Sequence, residues 1–232
     1  PVVLRGACAQ WPALQRWADR AFWCEGGLGH RFVPVEMDYW LDEGYKLMPI
    51  RDFVDHCLAS EGGAPAPGLS GGGYLASHPL LDHVPALEAD VLTPDFVHFG
   101  AEGHLVRKVF FGPRGTVTPL HFDSYENAFC QVVGTKYMRL YAPTEAPKLY
   151  ARSEGQGLAN NSTIEPADIL EGEAAGAYGS KSDADPGRFS KFLEAAYLEV
   201  VLEPGDLLYL PKDWWHYVKS LSTSISVAYH FT

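Results

Sequence analysis

Ala128-Phe129-Cys130-Gln131-Val132-Val133, Gly134-Thr135, Lys136-Tyr137-Met138-Arg139-Leu140-Tyr141 reads as two β-strands around a short turn. β-Branched and aromatic residues fill both runs, with Gly-Thr as the punctuation between them, so the spacing predicts a hairpin. The same texture extends outward. From Leu105 onward, short apolar runs are separated by Gly-Pro, Gly-Thr and Pro-Gly, as in an antiparallel sandwich or jelly roll. Leu198 to Leu202 and Leu207 to Leu210 flank the turn Glu203-Pro204-Gly205-Asp206. Ser224 to Phe231 sets Ser, Ser, Ala and His against Ile, Val, Tyr and Phe, which predicts a half-buried strand.

The residues before Leu105 mix helix and strand. Trp11 to Trp23 spaces Leu14, Trp17, Ala18 and Phe22 as one short amphipathic helix. Arg31 to Met37 predicts a strand that Pro34 confines to an edge. Ile50 to Leu58 follows Pro49 and places Phe53, Val54 and Cys57 on one helical face. Glu61 to Gly73 is a Gly/Pro-rich loop, and Pro85 breaks His78 to Val91 into two short turns. Thr144 to Lys191 is a long polar connection, and such a length belongs to a lid at a substrate mouth or to a mobile insertion. The division is therefore a helical and strand extension over 1–104, packed on a β core over 105–232 that carries the insertion 144–191. Together they form one structural domain of mainly β (α+β) class.

Length and composition set bounds. At 232 residues, 47% hydrophobic and 20% charged, the chain suits one globular domain with a sizeable core. A net charge of −11 argues against a nucleic-acid surface and is compatible with a cationic peptide partner. Cys8, Cys24, Cys57 and Cys130 are dispersed and suggest neither zinc site nor disulfide framework, so a cytoplasmic or nuclear location is expected. Asn160-Asn161-Ser162-Thr163 holds two overlapping glycosylation sequons, expected to be unused without a signal peptide. No apolar run approaches membrane-spanning length. Starting at Pro1 without an initiator Met, the sequence reads as part of a longer protein. Nothing in it gives an oligomeric state.

The candidate chemistry lies in His121-Phe122-Asp123 and in His216, which follows Trp214-Trp215. Two histidines and one carboxylate are the ligand set of a facial-triad iron(II) site with open positions for cosubstrate and oxygen. Chance alone supplies about half of one His-x-Asp in a chain of this composition. In a strand, however, residues i and i+2 share a side, so His121 and Asp123 can bind one metal. The plain alternative is a surface turn with a core histidine elsewhere. Lys136 bears on the choice. It shares a side with the apolar Met138 and Leu140, and burying a lysine is costly unless an anion pairs with it. A dicarboxylate near the metal would supply that anion, with Thr118 and Asn127 adding hydrogen bonds. Otherwise Lys136 lies on an exposed edge and snorkels to water.

Thr118-Pro119-Leu120-His121-Phe122-Asp123, Gly134-Thr135-Lys136-Tyr137 and Pro204-Gly205-Asp206-Leu207-Leu208-Tyr209-Leu210-Pro211 with Trp215-His216 resemble the JmjC oxygenases, closest to the JMJD5 (KDM8) branch. The early segments Val2-Val3-Leu4-Arg5-Gly6, Val33-Pro34-Val35-Glu36 and Gly73-Tyr74-Leu75-Ala76-Ser77-His78 extend the likeness nearly end to end. The resemblance implies a double-stranded β-helix of jelly-roll, cupin-like type with an N-terminal α/β extension. It implies Fe(II) held by His121, Asp123 and His216, which are also the catalytic residues, with O2 and 2-oxoglutarate as cosubstrates. It places 2-oxoglutarate against Tyr74, Thr118, Asn127 and Lys136. Around the substrate it implies Glu36, Phe110 and His230, the last two departing from an expected Trp. Glu36 could pair with a guanidinium or be an ordinary exposed carboxylate, and His230 could be a core histidine or a group beside the iron. The implied activity is hydroxylation of a protein side chain, arginine first. Histone lysine demethylation is the alternative, a non-catalytic binding module is the rival of another class, and oxygenation of RNA is disfavoured by the net charge.

Overall fold

The computed structural model describes residues 1–37, 44–59, 73–98, 104–153, 159–164 and 189–232. Two antiparallel sheets carry the architecture. The larger has the order β1 (Val2–Leu4), β10 (Leu207–Leu210), β7 (Glu126–Val133), β12 (Ser224–Phe231), β5 (Leu105–Gly112), β4 (Leu75–His78). The smaller has the order β6 (Val117–Phe122), β11 (Trp215–Ser220), β8 (Lys136–Tyr141), β9 (Tyr197–Leu202). A separate ribbon pairs β2 (Phe32–Glu36) with β3 (Tyr45–Pro49) and joins β4's approach through a bridge from Glu36 to Tyr74. This is the expected double-stranded β-helix with an N-terminal α/β extension, and the extension itself supplies β1 and β4 to the large sheet.

Gly134-Thr135 is not a hairpin turn, which corrects the sequence expectation. β7 pairs with β10 and β12, whereas β8 pairs with β11 and β9. The chain crosses from one sheet to the other at Gly134, whose φ of +66° favours glycine. A Cβ there would lie 2.0 Å from the Thr223 carbonyl oxygen. β9 and β10 likewise fall in different sheets, and Asp206 ties their turn together by accepting from the Glu203 and Gly6 amides at 3.0 and 3.2 Å. Burial pushes the Asp206 carboxyl up, but these bonds and Arg5 outweigh it and hold its pKa down.

Two further corrections have packing causes. Trp11 to Trp23 forms two helices, α1 (Ala13–Arg16) and α2 (Arg20–Cys24), because Asp19 ends the first run and caps the second by accepting from the Ala21 amide. β12 is buried along its whole length rather than on one side. It lies between β5 and β7, with Ile225, Val227, Tyr229 and Phe231 against the core under the N-terminal helices. Its Ser224, Ser226, Ala228 and His230 face the space between the sheets. α3 (Ile50–Ala59) buries Phe53 and Val54 as expected, while the Cys57 side chain lies outside the described residues, as do residues 61–72 of the Gly/Pro-rich loop. His78 closes β4; beyond it come α4 (Leu80–His83) and a 3-10 turn over Pro85–Asp90, two short turns divided at Pro85. Of the insertion, the described parts are 144–153, 159–164 and its last residues from 189. No helix among the described residues is long and apolar enough to cross a membrane.

Candidate active site

β6 and β11 are neighbours, and their register sets His216 directly opposite His121. The two rings are 4.1 Å apart between centroids. His121 donates its Nδ1 proton to the Pro119 carbonyl at 2.7 Å, and His216 donates its own to the Trp214 carbonyl at 3.1 Å. A carbonyl can only accept, so both rings keep an Nε2 lone pair free for a metal. Asp123 stands one residue past the end of β6, its carbonyl held by the Asp213 amide at 2.8 Å. Its Oδ2 is 3.9 Å from His216 Nε2 and 3.8 Å from His230 Nε2. The ligand atoms of His121, Asp123 and His216 all lie within 4.8 Å of one another, the only such group among the described residues.

The electrostatics suit metal ligation. Burial drives the His216 pKa down to about 3, helped by His121 and opposed by Asp123, so the ring is neutral at physiological pH. Burial likewise takes His230 down to about 4. Burial works to raise the Asp123 carboxyl, but His216, His121, His230 and Lys108 together hold it below its ordinary value. A carboxylate and two imidazoles is the donor set that a divalent iron takes.

The three residues open onto a narrow cavity between the sheets. Its wall includes Tyr74, Phe110, Thr118, Asn127, Lys136 and His230. Lys136 is 1% exposed, so it does not snorkel to water. Its ammonium sits 5.7, 5.5 and 5.4 Å from the ring centroids of Tyr74, Phe110 and Phe129. No ion pair to it is found among the described residues, and burial lowers its pKa to about 7. Along β8 it stands four residues, about 13 Å, from the level of His216. Asn127 is 4% exposed and its Oδ1 has no hydrogen-bond partner. The Tyr74 hydroxyl is pushed up by burial and drawn partly back by Thr118. Gly112 makes room for that ring, since a Cβ there would lie 2.7 Å from it. An unpaired cation, an orphaned amide and two hydroxyls on one cavity fit a short dicarboxylate.

Nine of the ten residues singled out from the sequence line this cavity, and Glu36 stands beside it. Glu36 accepts from the Tyr45 hydroxyl at 2.8 Å, while its other oxygen is buried without a partner. Burial raises its pKa, with the Tyr45 bond opposing. Three residues near the site escaped sequence reasoning. Lys108 shares the inward face of β5 with Phe110. Tyr125 stacks on His230 at 6.1 Å with 5° between planes. Asn160 takes both polar groups of Phe122, the residue between the two ligands on β6. Its carbonyl accepts from the Phe122 amide at 3.0 Å and its side-chain amide donates to the Phe122 carbonyl at 2.8 Å. Only a glycosylation sequon marked Asn160 in the sequence.

A double-stranded β-helix with a His-Asp-His set between its sheets defines a metal-binding cupin. Residues 1–232 match the family described as a cupin-like domain. The chain is 36% identical over 234 residues to "Lysine-specific demethylase 8" of Danio rerio, covering 99% of this chain and 52% of that protein. It is 35% identical to "Lysine-specific demethylase JMJ30" of Arabidopsis thaliana, with 99% and 49% covered. It is 28% identical to human "Bifunctional peptidase and (3S)-lysyl hydroxylase JMJD7", with 100% and 77% covered. The chain belongs to the cupin-like JmjC family of oxygenases, whose cofactor and cosubstrates are Fe(II), 2-oxoglutarate and O2. It spans about half the length of the first two of these relatives.

Proposed function

We propose that the chain is the catalytic domain of an Fe(II)- and 2-oxoglutarate-dependent oxygenase that hydroxylates a protein side chain, arginine first. Lys136 carries this reading. It is a buried cation with no ion pair among the described residues, and it shares a cavity with a His-Asp-His set. An ammonium in that position is costly to keep unless an anion arrives to pair with it.

Metal and cosubstrate, when bound, supply oxygen activation coupled to decarboxylation. The protein's residues place and protect that chemistry. His121 and His216 present Nε2 because backbone carbonyls hold their Nδ1 protons. Asp123 remains ionised to complete the ligand set. Lys136 takes the far carboxylate, and Tyr74, Thr118 and Asn127 fix its orientation by hydrogen bonds. Phe110, Phe129, Met138 and Val218 keep water from the cavity wall.

The substrate assignment rests on Glu36. Its carboxylate is half satisfied by Tyr45, and its second, unpartnered oxygen is an acceptor for a guanidinium N–H. Lys108 lies on the Asp123 side and repels a cation there, so the guanidinium belongs on the Glu36 side. Lysine demethylation is a second reading, favoured by the names that the Danio and Arabidopsis relatives carry. Mass spectrometry separates the two: hydroxylation adds one oxygen to an arginine peptide, while demethylation removes a methylene from a methylated lysine. Turnover of methyl-lysine peptides alone would sink the arginine assignment. Calorimetry with Mn(II) and 2-oxoglutarate tests the class itself, since a folded sample that bound neither would be a non-catalytic module.

A further inference from the structure

The three most exposed large apolar side chains among the described residues are Phe32, Tyr45 and Leu47, at 65%, 65% and 66%. All three stand on one face of the β2–β3 ribbon. The register sets Phe32 opposite Pro49, Pro34 opposite Leu47 and Glu36 opposite Tyr45. Residues directly opposite one another, and alternate residues along a strand, share a face. On the other face Val33, Val35 and Met48 are buried in the core, and Lys46 is exposed.

The direction of the apolar face follows from the bridge to β4's approach. Glu36 and Tyr74 exchange two backbone hydrogen bonds, at 2.9 and 2.8 Å, so their side chains lie on the same side. Tyr74 is part of the cavity wall. The apolar face therefore continues outward from that wall, and Glu36, with its unpartnered buried oxygen, stands at the junction.

We infer that this face docks the segment of the substrate protein that flanks the target residue. The occupant is an extended peptide with a cationic side chain at the Glu36 end and bulky apolar side chains two and four residues from it. The rungs Pro34–Leu47 and Phe32–Pro49 lie about 7 and 13 Å beyond the Glu36–Tyr45 rung, the interval at which an extended peptide presents alternate side chains. The chain's net charge of −11 favours the cationic member of that pattern. This rests on the reading of a protein side chain as the substrate.

The test uses the whole chain, immobilised and loaded with Mn(II) and 2-oxoglutarate without oxygen. The probe is a synthetic peptide library with one fixed arginine and randomised flanks. Retained peptides should be enriched about tenfold in Leu, Phe or Met two and four residues to one side of the arginine, the effect of partly burying one such side chain. Leu47→Glu and Phe32→Ser should abolish the enrichment while Mn(II) and 2-oxoglutarate affinities and the melting temperature stay put. Retention without apolar preference, no retained arginine peptide, or enrichment that survives both substitutions overturns the inference. So does a dimer that Leu47→Glu dissociates with no change in the retained peptides, since the face would then serve a second copy. Retained peptides that gain no oxygen once Fe(II) and O2 are supplied would sink the oxygenase reading and leave the docking surface standing.

Discussion

An ammonium enclosed by three aromatic rings weakens the ligand-free fold, and Lys136 is such a group. Its pKa is about 7 in the folded chain against an ordinary 10.5. Between these values the unfolded chain binds a proton that the folded chain releases. Lys136 thus makes stability rise with pH across that window, and its penalty is complete below about pH 7. Lys136→Met should therefore stabilise the ligand-free protein at or below neutral pH, by on the order of a few kcal/mol, read by thermal melting. The same substitution should weaken 2-oxoglutarate binding about 100-fold or more, because it removes the charge that meets the far carboxylate. At pH 8 the wild type should take up a proton on binding 2-oxoglutarate, seen as calorimetric heats that vary with the buffer's ionisation heat. Unchanged 2-oxoglutarate affinity in the variant would remove Lys136 from the pocket. This residue was legible in the sequence because its neighbours Met138 and Leu140 fix its side of the strand.

The insertion does part of its work at the scale of one added strand. Residues 160–162 lie along the free edge of β6, with the Ser162 amide donating to the Leu120 carbonyl and Asn160 holding Phe122 on both sides. The outer edge of this strap is stitched in turn to 150–152, where the Arg152 amide donates to the Asn161 carbonyl. Supports of this kind around metal ligands typically contribute 10–100-fold to affinity. Asn160→Ala should weaken Mn(II) binding about tenfold with little change in melting temperature. Asn160→Asp, which cannot donate to Phe122, should do at least as much; equal Mn(II) affinities across the three proteins would make the strap scaffolding only. None of this was visible in the sequence, because Asn160 meets Phe122 from 38 positions away. The hairpin was misread for a related reason. Gly134-Thr135 carries a turn signal, and local chemistry does not state whether a turn rejoins its own sheet or crosses to the other. Strand existence and side-chain phase were local and came through; strand partners were not.

At the scale of the molecule, one core spans both parts of the chain. Trp17, Trp23 and Phe53 from the N-terminal region pack with Phe111, Val227 and Tyr229 of the large sheet. Trp23 meets Phe111 at 5.5 Å and Phe53 meets it at 5.0 Å between ring centroids. Urea unfolding followed by far- and near-ultraviolet circular dichroism should give coincident single transitions, and Phe111→Ala should shift both by about 3–5 kcal/mol. Two separated transitions would mean that the extension folds apart from the barrel. The α/β extension and β core were legible as textures, whereas the contribution of β1 and β4 to the large sheet depends on long-range pairing. The central place of β12 has a consequence for how the protein is made. β5 and β7 meet only through that strand. During synthesis, both must therefore wait about a hundred residues for it with an edge unpaired, exposed to wrong partners. A nascent chain arrested before Ser224 should stay sensitive to protease across β5 and β7, and resistance should appear only once residues 224–231 have emerged from the ribosome.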